Sequence, residues 1–156
     1  MAAARRGRLD RAAMAMSWLG NGLIYLLIAM LLLAYAGASA WRGIAVAALC
    51  GAISHIVYPL VKRAADRPRP FHHRQTLVPL FAPLDRNSFP SGHAMTLTAT
   101  LIPMLLAWPG LWELGLALWL VMAWSRIATA HHYPSDVLAG TLLGVAVAAP
   151  LTWVLL

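Results

Sequence analysis

Residues 111–136 read LWELGLALWLVMAWSRIATAHHYPSD, and the stretch from Leu111 to Thr129 decides what kind of protein this is. Its only charges are Glu113 near one end and Arg126 near the other. Crossing the hydrocarbon core of a bilayer takes about 20 mostly apolar residues of helix, so this stretch can span. Pro134 disfavours helical backbone at Tyr133. One helix is therefore expected to end before His132, and another to begin with Asp136 in its first turn.

The same pattern recurs on both sides of this stretch. Trp18–Ala38 and Gly43–Val61 are uncharged, the second ending in Lys62-Arg63; Gly92–Trp108 stops at Pro109-Gly110, and Val137–Leu156 follows Asp136. Backbone groups in lipid must be paired within their own segment, so each span is a helix. The sequence predicts an all-α integral membrane bundle of about five transmembrane helices. Composition agrees: of 156 residues, 61% are hydrophobic and 11% charged, where soluble domains carry about 25% charge. Such a chain cannot cover itself as a soluble monomer. That excludes a nucleic-acid module despite a formal charge of +7, and the lone Cys50 excludes a disulfide scaffold. Trp18, Trp41, Trp108, Trp112 and Trp153 fall near span ends, as an aromatic belt requires.

The expected organisation is a basic tail over residues 1–16, disordered and running into an interfacial turn, and one transmembrane domain over residues 17–156. The first apolar segment is too long for a cleaved signal peptide and lacks the small-residue cleavage pattern. The only long polar stretch runs from Lys62 to Ser91, and its apolar middle, Leu77–Leu84 with Pro79 and Pro83, predicts a flap at the membrane surface able to touch a lipid tail. Arg63, Arg67, His72 and His73 read as solvated loop. His55, inside the second span, reads equally as a functional intramembrane group or a neutral packing residue.

Three polar clusters remain, and alternating helix direction puts all of them on one side of the membrane. Lys62 and Arg69 follow the second span, Ser91, Gly92 and His93 open the third, and Arg126, His132 and Asp136 close the fourth. Lysine and arginine supply fixed positive charge, and arginine matches phosphate oxygens with paired N–H donors. A helix opening at Pro90-Ser91-Gly92 offers backbone N–H groups and a positive dipole end to an anion. Positive charge with oriented donors is what phosphoryl transfer requires. Asp136 can accept from one nitrogen of His132 and leave the other as nucleophile, while His93 protonates the leaving oxygen. The expected intermediate is a phosphohistidine, with no metal or other cofactor, since cationic side chains take the metal's place. His131 competes with His132, but the spacing from Arg126 and to Asp136 selects His132.

Lys62 to Pro70 fits K-x6-R-P, Pro90 to His93 fits P-S-G-H, and Ser125 to Asp136 fits S-R-x5-H-x3-D. With all three complete and in order, the chain resembles the type 2 phosphatidic acid phosphatase family, relatives of bacterial acid phosphatases and vanadium haloperoxidases. The resemblance covers roughly residues 43–156. It implies phosphate binding by Lys62, Arg69, Ser91, Gly92 and Arg126, with His93 as acid, His132 as nucleophile and Asp136 as its orienting carboxylate. It also implies a metal-independent lipid phosphate phosphohydrolase in a bacterial inner membrane, acting on a polyprenyl diphosphate such as undecaprenyl diphosphate. Phosphatidate, phosphatidylglycerol phosphate and a polyprenyl sugar phosphate are alternative substrates, and a vanadate-dependent haloperoxidase is the alternative of another class. Larger members look six-spanning with the first motif after the third helix, so one N-terminal helix is expected to be absent here. The arginines on the site's side point to the cytoplasm by the positive-inside rule, whereas undecaprenyl diphosphate recycling implies the outer face. Expected partners are the lipid substrate and the surrounding bilayer, with oligomeric state open.

Overall fold

The apolar stretches read from the sequence become five long rods in the computed structural model, which describes residues 7–73 and 76–156. The helices are α1 (Arg8–Leu19), α2 (Leu23–Ala36), α3 (Ala40–Ala65), α4 (Pro70–His73), α5 (Gly92–Ala107), α6 (Trp112–Ala128) and α7 (Pro134–Leu155). No strand occurs among the described residues beyond a single antiparallel bridge between Pro68 and Asn87. Residues 23–65, 109–128 and 134–155 are long and apolar enough to cross a membrane, and α5 is a shorter apolar helix. Helix α2 starts at Leu23 rather than Trp18, because Gly20-Asn21-Gly22 breaks the chain there, with Gly22 at φ 146°.

Contacts between glycines and rings show that the helix directions alternate. Tyr25 at the start of α2 lines the same cavity as His93 at the start of α5. Leu32, further along α2, packs in one cluster with Met104 of α5. The chain then reverses through the 3₁₀ turn Gly37–Ser39, with Gly37 at φ 60°. Gly43 abuts the Trp108 ring, and Tyr58 meets Gly92 at the other end of α5. Helix α3 therefore returns antiparallel to α5 and delivers Lys62 beside His93.

Helix α5 is the central rod. Eleven of its sixteen residues are buried, whereas outer helices present Leu26, Leu31, Leu114, Leu142 and Trp153 outward. That is the inverse of a soluble protein and the expected surface for lipid contact. Helix α7 lies closest to α5 because of Gly140 and Gly144, a small-residue pair one turn apart. A Cβ at Gly140 would collide with the Ser91 carbonyl oxygen, and one at Gly144 would lie 2.5 Å from the Met95 carbonyl oxygen. Backbone packing of this kind locks the start of α7 to the start of α5.

Two expectations change at the N-terminus. The proposed tail over residues 1–16 is helical from Arg8, and Ala13 and Met16 are buried, so the packed domain begins well before residue 17. Residues 1–6 of that tail, with Arg5 and Arg6, lie outside the described residues, as does Arg74. A third helix also precedes the first polar cluster, since α1 stands before α2 and α3. At 12 residues it is about 18 Å long, too short to span. It lies instead against the end of α6, where the Ser125 hydroxyl donates to the Ala13 carbonyl at 2.9 Å. Sequence reading took these residues as loose because four arginines and an aspartate dominate them; the small residues that pack carry little hydropathy signal.

Candidate active site

The first cluster is built where α3 stops. Asp66 takes a left-handed conformation (φ 38°) at its C-terminus and turns the chain back. The Pro68–Asn87 bridge then stitches the following segment to the loop before α5. The Ser88 N–H donates to the Arg67 carbonyl at 2.7 Å, and the Asn87 amide to the Lys62 carbonyl at 3.1 Å. This seam does more than hold a loop. It fixes the Ser88 carbonyl against the ring of His132.

His132 is buried, and its Nδ1 donates to the Ser88 carbonyl at 2.7 Å. A carbonyl can only accept, so Nδ1 carries the proton and Nε2 keeps its lone pair. The tautomer expected of a nucleophile is thus set by a backbone oxygen, not by Asp136. The Asp136 carboxylate stands 3.8 Å from Nδ1, beyond hydrogen-bond reach. It accepts instead from the Tyr133 N–H at 2.8 Å and from Arg67 at 2.7 Å. Arg67 also lies over the Tyr133 ring, 4.2 Å from its centroid, and donates to the Ser135 hydroxyl. In sequence Arg67 reads as solvated loop; its carboxylate partner lies 69 residues away, and no local pattern announces it.

Lys62, Arg69 and Arg126 line one cavity, with partners that no sequence pattern marks. Lys62 donates to both carboxylate oxygens of Asp85, at 2.8 and 2.7 Å, and to the Asn87 carbonyl. Arg69 holds the same carboxylate at 2.8 Å, the Asp85 carbonyl at 2.9 Å and the His131 carbonyl at 2.9 Å. Arg126 donates to the Ser17 hydroxyl and to His131 Nδ1, and its Nε is buried with no partner among the described residues. His131 accepts there, so its Nε2 donates to the Phe81 carbonyl at 3.0 Å. It is a neutral brace behind the cations.

His93 Nε2 lies 3.2 Å from the Ser17 carbonyl and 3.0 Å from Asn21 Oδ1. Both neighbours accept, so Nε2 carries the proton. Helix α1 therefore supplies Ser17 to the site, and the turn that follows it supplies Asn21. Gly20 permits that approach, since a Cβ there would sit 2.6 Å from the His93 ring.

A cavity of about 470 Å³ joins these groups. Lys62, Arg69, Gly92, His93, Arg126, His131 and His132 line it, with Met14, Trp18, Phe81 and Leu84 among its apolar walls. His55 and Tyr58 line it as well, so His55 faces the site from within α3. Ser91 and Asp136 do not line it. The Ser91 hydroxyl caps α5 by accepting from the Ala94 N–H, and its own N–H donates to the Asp136 carbonyl at 2.9 Å. Both residues stand behind the site and hold it together. His72 and His73 are exposed and stand apart.

Burial and charge set the protonation states of the loop groups. Burial lowers the His132 pKa well below the usual histidine range, helped by the neighbouring cations and opposed by Asp136. Burial likewise lowers His131 to about 4. Asp85 is held below the ordinary carboxylate value: partial burial works against this, but Lys62 and Arg69 prevail. At neutral pH the cavity thus holds two neutral, buried imidazoles of known tautomer beside an ionised carboxylate.

Comparison with known proteins sets this geometry in context. Residues 23–156 match the PAP2 superfamily. The lipid A 1-phosphatase of Rhizobium johnstonii is 37% identical over 97 residues, which are 58% of this chain and 39% of that protein. The chain thus matches only about two fifths of the length of such lipid A 1-phosphatases. The decaprenylphosphoryl-5-phosphoribose phosphatase of Mycobacterium tuberculosis is 37% identical over 154 residues, covering 96% of this chain and 85% of that protein. In fold, the chain resembles the crystal structure of a transmembrane PAP2 type phosphatidylglycerolphosphate phosphatase from Bacillus subtilis. The TM-score is 0.74 at 21% identity, over 97% of this chain and 78% of the other.

Proposed function

Because the chain belongs to the PAP2 superfamily, we propose that it is a membrane-embedded lipid phosphate phosphohydrolase working through a phosphohistidine. The observation that carries the proposal is the single cavity shared by His93, His132 and three cationic side chains at the helix ends. His132 Nε2 attacks phosphorus while Lys62, Arg69 and Arg126 hold the non-bridging oxygens; the Nε of Arg126 is a donor with no other partner among the described residues. The phosphorus–oxygen bond to the lipid breaks as the nitrogen–phosphorus bond forms. The departing oxygen takes the Nε2 proton of His93, which reacts as an imidazolium beside the phosphate's negative charge and is left neutral; the exposed Asn21 amide must yield its place. Water, deprotonated by His93, then releases phosphate and restores His132. Cationic side chains meet the phosphate charge, so the reaction proceeds without a metal.

The substrate we propose is a polyprenyl-linked phosphate in a bacterial inner membrane. The apolar wall of Met14, Trp18, Phe81 and Leu84 beside a polar floor suits a lipid whose phosphate enters first. A polyprenyl diphosphate fits this description. The terminal monoester of a polyprenyl sugar phosphate fits it equally, and the relative matched along nearly its whole length favours the monoester. Phosphate release from a panel of polyprenyl diphosphate, polyprenyl sugar phosphate, phosphatidate and phosphatidylglycerol phosphate separates these readings. Purified protein should hydrolyse a polyprenyl-linked member in EDTA and be inhibited by orthovanadate. His132→Gln should lose at least about a thousandfold, on the scale expected for removing an attacking group. Full turnover by that variant would refute the mechanism.

A further inference from the structure

The most telling feature of the cavity is a carboxylate where a phosphate should go. Asp85 places both oxygens on Lys62 and one on Arg69, at 2.7–2.8 Å, so two of the three cations already share one carboxylate. The asymmetry of burial is informative. The side chains of Lys62 and Arg69 are 9% and 2% exposed, while that of Asp85 is 42% exposed. The cations are fixed in the bundle and the acid reaches in from outside. Arg126 has no carboxylate partner among the described residues, and its Nε is unpaired among them.

The chain around Asp85 is suited to withdrawal. On one side Phe81 is tethered, its carbonyl accepting from His131 and its ring standing edge-on to that imidazole, with centroids 4.4 Å apart. On the other side Asn87 and Ser88 are tethered by the seam to Lys62 and Arg67. Between the tethers, residues 82–86 form no regular structure, Leu84 is 83% exposed at the cavity mouth, and one backbone bond, from Arg69 to the Asp85 carbonyl at 2.9 Å, must lengthen as the carboxylate withdraws.

We propose that Asp85 is a resident anion of the empty site, displaced from Lys62 and Arg69 when the substrate's phosphate enters. A lipid tail lying on Phe81 and Leu84 moves the short segment that carries the carboxylate, so tail binding and release of Asp85 are coupled. Inorganic phosphate has no tail and must displace the carboxylate unaided. The device makes the site discriminate a lipid ester from free phosphate, the hydrolysis product that would otherwise inhibit it.

This inference rests on the proposed phosphatase reading, yet its test does not need turnover. Binding of inorganic phosphate to detergent-purified full-length protein is measured by titration calorimetry for the wild type, Asp85→Ala and Asp85→Asn. Removing the competing charge should tighten phosphate binding by about tenfold or more in Asp85→Ala, with Asp85→Asn also tighter than wild type. Phosphate should also raise the melting temperature of Asp85→Ala more than that of wild type, which guards against a variant that is merely loosened. If Asp85 instead only positions the two cations, both variants bind phosphate equally or more weakly, and the proposal is overturned. It is overturned equally if no form binds. Lipid phosphate hydrolysis by the wild type, assayed separately, tests the underlying function.

Discussion

Replacing Arg67 with glutamine tests how His132, the proposed nucleophile, is kept neutral. Among the described residues Arg67 is the only cation bonded to the buried Asp136 carboxylate, at 2.7 Å, and Asp136 stands 3.8 Å from His132 Nδ1. While the guanidinium is present, most of the carboxylate's field ends on it. Without it, that field falls on His132. Unit charges 3.8 Å apart interact by about 4 kcal/mol at an effective dielectric of about 20, or about three pH units of histidine basicity. This is an upper bound, because Arg67 is itself 38% exposed, water can replace it, and the Tyr133 N–H still donates to Asp136. A rise of at least one pH unit in the acid limb of kcat/KM is therefore expected for Arg67→Gln. The limb falls because protonated His132 has no lone pair on Nε2, so a more basic ring begins to lose activity at higher pH. The assay is phosphate release across pH 4–8 with the best lipid of the panel. An unchanged acid limb in a folded, active Arg67→Gln protein would show that the Arg67–Asp136 pair does not govern the nucleophile's basicity.

Two further outcomes follow from packing and protonation. Gly140→Ala forces a methyl onto the Ser91 carbonyl, so it should cost about 1–3 kcal/mol, as overpacking does, and lower activity by shifting α7 with His132. Gly110→Ala, whose Cβ meets nothing within 4 Å, is the matched control in thermal melts and turnover. His131 is lowered by burial to about 4, so between that value and its ordinary 6.5 the unfolded chain binds the extra proton. Its stabilising share is complete above pH 6.5 and is lost as pH falls towards 4. Melting temperature should therefore drop on acidification through this window, and His131→Gln should flatten the drop.

The features legible in the sequence share a physical cause. Lys62, His93, Arg126 and His132 occur at the ends of apolar runs, and a membrane forces those runs into rods that alternate in direction. Once Gly92–Trp108 and Leu111–Thr129 are known as neighbouring rods, Arg126 must come back to the end where His93 begins. No tertiary knowledge is needed for that step. The orienting partner of His132 was illegible for the opposite reason: it is the carbonyl of Ser88, a backbone atom that every residue possesses and no side-chain pattern marks. Asp85 and Arg67 escaped because an acid and a base in a polar loop look solvated until the fold shows which is buried against what. Helix α1 lies between these cases. Ala13, Ser17 and Gly20 recur at i, i+4 and i+7, one face of a helix, and that face is the one that meets Ser125, Arg126 and His93. Searching for hydrophobic stripes passes over it, because in a bilayer close approach is made by small residues rather than large apolar ones. The same criterion finds Gly140 and Gly144 on α7, which face the α5 backbone. In this chain the spacing of small residues therefore locates the contacts that shape the site, and the apolar runs locate only the rods that carry it.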